Sequence, residues 1–175
     1  MGINMDRHVH REIEIGGFEI EDAEQWRLHD PVVDMDLRYF EALTNGTRMP
    51  RRTDLNPEDI KPILPEVALL EPIYDAAGSF VDAKGLLEGT KLDSFYGSIT
   101  GTLISQYPIP LVSDRILQAC RYCIEIAKPI VVSADALSDQ KNHLTITVLY
   151  VPMSSDGVLI DRIFLHNQVK SKFAE

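Results

Sequence analysis

Cys120 and Cys123 stand two residues apart, the spacing of redox dithiols and of half a zinc site. Zinc needs four ligands, and the chain has no other cysteine. A redox pair sits at a helix start after a strand, where the helix dipole lowers the thiol pKa. These two fall deep inside an expected helix, on its apolar side, and read as buried core thiols. His8 and His10 have no partners at helical spacing, so no metal site is expected there. His143 is better placed for proton transfer, on the same side of an expected strand as Thr145 and Thr147. As a general base it would draw on Asp135 or Asp161. The plainer reading, for His143 and for His166, is a hydrogen-bonded histidine on a strand.

Other chemistry is missing from the sequence. Gly16-Gly17 is followed by no Lys-Ser/Thr, and the glycines of 97–101 follow no strand, so no phosphate loop forms. No G-x-S-x-G elbow supplies a nucleophile. Arg48, Arg51 and Arg52 lie beside Asp54, Glu58 and Asp59, a cluster that pairs with itself or docks an anion or partner.

The elements that position these residues follow from pattern and punctuation. Asp30 and Pro31 start a helix that Asn45-Gly46 ends, with Val33, Leu37, Phe40 and Leu43 along one stripe. Pro50, Pro57, Pro62 and Pro65 then forbid a long element. Strands are expected at 66–74 and 79–88, joined by Asp75-Ala76-Ala77-Gly78. An irregular helical stretch leads to a helix over 111–127, with Ile116, Cys120, Cys123 and Ile124 on one side. Residues 130–137, 142–151 and 158–168 complete a three-stranded meander. Strands in runs, rather than alternating with helices, make the fold α+β: a five-stranded antiparallel sheet with helices over one face, plus an N-terminal helix.

The chain has 175 residues, which fits one domain, and a formal net charge of −10. That surplus argues against a nucleic-acid partner. Half of it falls in the first 30 residues, where eight acidic residues meet three basic ones. Residues 1–25 therefore read as an acidic arm or short strand, 26–170 as the domain and 171–175 as a tail. No apolar run is long enough to span a bilayer, no secretory signal core opens the chain, and two cysteines fit a reducing cytoplasm.

Met49-Pro50-Arg51-Arg52-Thr53-Asp54-Leu55-Asn56-Pro57-Glu58-Asp59-Ile60 followed by Leu64-Pro65 resembles the opening signature of a bacterial PAS-domain family, single-domain and common in alphaproteobacteria. Leu86-Leu87-Glu88-Gly89-Thr90, Tyr96-Gly97, Thr100-Gly101, Lys128-Pro129 and Val151-Pro152-Met153-Ser154 extend the match from about Trp26 to Gln168. The resemblance implies a five-stranded sheet with helices wrapped over a small pocket. It also implies sensing or protein interaction, often beside two-component signalling, and a homodimer. Flavin-type members carry an Asn-Cys-Arg-like motif and haem-type members a helical histidine. The chain has no such motif, and residues 89–127 contain no histidine, so neither cofactor is expected. With seven residues after Gln168, the domain would act on its partner in trans.

Three functions are then in play, in order of fit. The first is a sensory or adaptor protein binding a small molecule, a signalling partner, or both. Its pocket would be lined by Phe95, Tyr96, Tyr107, Leu117, Cys120, Ile124, His143 and Thr145. The second is an interaction module with a filled core, dimerising through the acidic leader or through the 31–44 helix, where Val32, Met35 and Tyr39 lie off the main stripe. The third is a small cavity enzyme built on His143.

Overall fold

A computed structural model describes residues 11–13, 18–135 and 144–171. In chain order these form strands β1 (Arg11–Ile13) and β2 (Phe18–Asp22), then helices α1 (Ala23–Trp26) and α2 (Pro31–Thr44). Strands β3 (Val67–Tyr74) and β4 (Phe80–Glu88) precede helices α3 (Thr90–Tyr96) and α4 (Pro110–Ile126). Strands β5 (Ile130–Asp135), β6 (Leu144–Met153) and β7 (Arg162–Ser171) follow.

Chain punctuation sets α2 as the sequence implies. Asp30 Oδ1 accepts hydrogen bonds from Val32 N and Val33 N at 3.0 and 3.2 Å, and Pro31 supplies a helical φ. At the far end Asn45 takes a left-handed φ of 53°.

The strands form one antiparallel sheet in the order β1-β2-β5-β6-β7-β3-β4. Five of the seven are the strands expected from the sequence. The other two come from the segment read as an acidic arm or short strand. Phe18 and Ile20 alternate with Glu19 and Glu21 in β2, and the two apolar side chains are each 1% exposed. That alternation docks β2 on β5, with Ile20 opposite Val132.

β7 begins at Arg162, four residues later than expected. Asp156 Oδ1 accepts from Val158 N at 2.8 Å and Leu159 N at 2.9 Å, while Ser154 Oγ donates to Leu159 O at 2.6 Å. These bonds close residues 154–161 into a loop before the ladder starts.

Helices cover both faces of the sheet rather than one. Ala68, Leu70, Val132, Val148, Tyr150 and Leu165 share a core with Leu92 of α3 and Cys120 of α4. On the opposite parity, Val67, Leu69, Val131, Leu149, Val151 and Phe164 pack with Val33, Leu37 and Phe40 of α2. Double coverage removes the polar alternation of a one-sided sheet, and residues 148–154 are buried without a break.

Two glycines allow backbone segments to approach closely beside the cavity. A Cβ at Gly89 would stand 2.3 Å from Leu64 O and Pro65 O, and one at Gly85 would stand 2.2 Å from Ile99 O. Gly85 N donates to Thr102 O at 3.0 Å and Gly101 N to Gly85 O at 2.8 Å, which holds Ile99 against β4.

Candidate functional site

A cavity of about 120 Å³ lies between the sheet and the α3–α4 layer. Its floor is laid by Val132, Val148, Tyr150, Leu165 and Asn167. Leu92, Phe95 and Tyr96 of α3 wall one side. Val112, Arg115 and Ile116 of α4 roof it, because spacings of three and four turn all three toward the sheet. Tyr107 Oη donates to Tyr96 O at 2.8 Å and ties the connecting loop to the end of α3.

Three charged residues, Glu88, Arg115 and Asp135, stand in this mainly apolar wall. Arg115 is 7% exposed, its Nη1 donates to Asp135 O at 3.1 Å, and its guanidinium lies 5.3 Å from the centre of the Phe18 ring. Burial lowers its pKa, against the opposing charge of Asp135. Glu88 Oε1 accepts from Ile99 N at 3.1 Å, and burial raises its carboxyl pKa. Burial likewise drives the Tyr150 phenol well above its usual value.

The family model for the PAS domain matches residues 31–164, from the start of α2 into β7. The chain belongs to the PAS domain family. No curated protein and no solved structure compared with it matches. In this PAS domain Phe95, Tyr96 and Tyr107, of the residues proposed for the pocket, line the cavity. Leu117, Cys120 and Ile124 do not. The first turns of α4 roof the cavity, whereas Cys120 lies in the solid core beyond it and Leu117 and Ile124 pack against that core. Thr145 belongs to the other face of β6, on the parity of Leu149 and Val151, because the cavity takes the Ile146, Val148 and Tyr150 side. His143 lies outside the described residues.

Cys120 and Cys123 are fully buried on α4, and burial pushes the Cys120 thiol up to about 12 and raises Cys123 as well. Such thiols are inert core groups. Arg48 pairs with Asp54 at 2.7 Å, and Asp54 also accepts from Arg51 N at 2.8 Å, so that cluster is largely self-satisfied. Among the described residues no group of three His, Cys, Asp or Glu side chains is arranged to hold a metal ion. Among them, too, no helix is long and apolar enough to cross a membrane.

His166 proves to be more than a hydrogen-bonded strand residue. It is 1% exposed, with Nδ1 at 2.5 Å from Asp36 Oδ2 of α2 and Nε2 at 3.0 Å from Glu66 Oε2. Glu66 Oε1 in turn accepts from Lys91 Nζ of α3 at 2.9 Å. Burial alone would lower the imidazole pKa, but the hydrogen bond and charge of Asp36, joined by Glu66, raise it. A signal for this network was present in α2. Asp36 interrupts the stripe of Val33, Leu37 and Phe40, and an acid on a buried stripe needs a partner across the interface.

Of the proposed interface residues, Met35 is 56% exposed, while Val32 and Tyr39 are half-buried. Tyr39 Oη donates to Asp59 Oδ2 at 3.1 Å.

Proposed function

We propose that this PAS domain is a sensory or adaptor module whose input is a small molecule held between the sheet and the α3–α4 layer. The cavity supports this reading: a mainly apolar enclosure with a few convergent polar groups is the common form of a small-molecule site. A bound ligand stabilises the fold by linkage, by roughly 1.4 kcal/mol at ten times the dissociation constant. Native mass spectrometry of the purified protein is expected to show a non-covalent adduct. Val148→Trp, which fills the floor, is expected to abolish it while the far-ultraviolet circular dichroism stays unchanged. The ligand reading falls if no adduct appears and no metabolite at millimolar concentration raises the melting temperature.

A second reading rests on the surface near α2, where Met35 is 56% exposed and Leu28, just before the helix, is 85% exposed. Exposed apolar side chains on a helix docked by its other face suit a second copy of the domain or a two-component signalling partner. Light scattering is expected to give the mass of a dimer, and Met35→Lys to shift it toward one chain. A monomer at high concentration removes the homodimer.

A further inference from the structure

We propose that the cavity takes a small amine, its ammonium head seated on the Glu88 carboxylate and its apolar tail on the sheet floor. This rests on the ligand reading above and narrows it to one class of molecule. Glu88 closes β4 and lines the cavity. Its Oε1 accepts from Ile99 N at 3.1 Å, whereas Oε2 is buried and has no hydrogen-bond partner among the described residues. Holding Ile99 takes one neutral oxygen, which a glutamine supplies without bringing a charge into the wall. A half-satisfied buried carboxylate is costly, and a donor arriving with a ligand removes that cost. The terminal torsion of a glutamate is broad, so a small turn lets the unbonded oxygen meet an occupant.

Charge decides the kind of donor. Two acids, Glu88 and Asp135, and one base, Arg115, line the cavity, which leaves a single negative charge in excess. The base is answered within the wall. Burial lowers the Arg115 pKa, the charge of Asp135 works against that, and Nη1 donates to Asp135 O at 3.1 Å. Glu88 has no ion-pair partner among the described residues. Burial raises its carboxyl pKa, and the Ile99 hydrogen bond works against that. A cation beside it favours the ionised form, and an ammonium adds a charge-assisted hydrogen bond. Phe95, Tyr96 and Tyr107 share the wall. Burial and then the Glu88 charge raise the Tyr107 phenol pKa, which sets that residue near the carboxylate. A carboxylate among aromatic rings suits a cation. The volume of about 120 Å³ is close to that of a cavity that takes up benzene, so the tail is a few carbons long.

n-Butylammonium, butyrate and n-butanol, matched in length, test the head group when titrated into the full chain by NMR, with xenon as an apolar probe. n-Butylammonium is expected to bind at least about tenfold more tightly than butyrate or n-butanol, the worth of a hydrogen bond to a charged group. Glu88→Gln keeps an acceptor for Ile99 N and is expected to lose that preference while n-butanol and xenon bind as before. Should that variant not fold, the ranking of the three heads in the unaltered chain decides alone. The net charge of −10 also draws ammonium ions to the surface, so Val148→Trp, which fills the floor, is expected to remove the n-butylammonium site. The same affinity in that variant places the amine on the surface and overturns the assignment. Equal or tighter binding of butyrate or n-butanol, or an n-butylammonium affinity unchanged in Glu88→Gln, overturns it too. With xenon or n-butanol still bound, such a result leaves the cavity a ligand site and removes only the amine. If no probe binds, both readings fall.

Discussion

His166→Leu is expected to destabilise the fold by about 3–5 kcal/mol, the cost of leaving a buried ion without its partner. The stranded group is Asp36, whose side chain is 6% exposed beneath α2 and loses the imidazole Nδ1 at 2.5 Å. Glu66 suffers less, because it is 30% exposed and keeps Lys91 at 2.9 Å. The double variant Asp36→Leu/His166→Leu removes both buried partners, and its loss is expected to be well below the sum of the single losses. Urea denaturation of the four proteins in the cycle measures this. Strictly additive losses would show that α2 and the sheet do not communicate through this pair.

The same network fixes a pH dependence with a definite sign. The folded pKa of His166 lies above its unfolded value near 6.5, so the imidazolium contributes fully below about pH 6.5. That contribution is lost as the pH rises through the folded value. Glu66 runs the other way. Burial would raise its carboxyl, but the Lys91 and His166 hydrogen bonds hold it below 4.5, so its contribution is lost as the pH falls through the folded value. The stability gap between the wild type and His166→Gln is therefore expected to narrow from about pH 6 toward pH 9. A gap that stays constant over that range would mean that His166 is not charged in the folded protein.

The legible parts of the sequence were those governed by local chemistry. Asp30, Pro31 and Asn45 bounded α2 because caps and left-handed stops are written in neighbouring residues. The β5–β6–β7 meander was legible from runs of Val, Ile and Thr, and the PAS resemblance agreed with both. What the sequence left open was which face each element serves. β6 is apolar on both parities from Val148 onward because helices cover both sides, so the polar run of Thr145 and Thr147 pointed toward a cavity that lies opposite. α4 carries one continuous stripe from Val112 to Cys123, and nothing in it marks where packed core gives way to open space. β2 was partly concealed by its own acidity, since Glu19 and Glu21 occupy the outward positions of a strand whose inward teeth are Phe18 and Ile20. Local pattern names the elements; partners across the sheet decide their faces.

Phe40→Ala is expected to cost about 3–5 kcal/mol, which makes α2 part of the core rather than a detachable flank. Phe40 is 5% exposed and meets the Phe164 ring edge-on, with centroids 4.9 Å apart and planes at 69°. Truncation opens a void between helix and sheet that Val33 and Leu37, both docked in the same cluster, cannot close without moving the helix. Because the pair sits beside the Asp36–His166 bond, loosening one contact also strains the other, and the variant is expected to unfold in a single transition at lower denaturant. Met35→Ala, one turn away but 56% exposed, is expected to change stability by no more than about 0.5 kcal/mol. The contrast separates the two faces of one helix: the inner one holds the fold, and the outer one lies exposed. A Phe40→Ala loss below about 1 kcal/mol, or a separate early transition with the sheet intact, would show instead that α2 releases on its own.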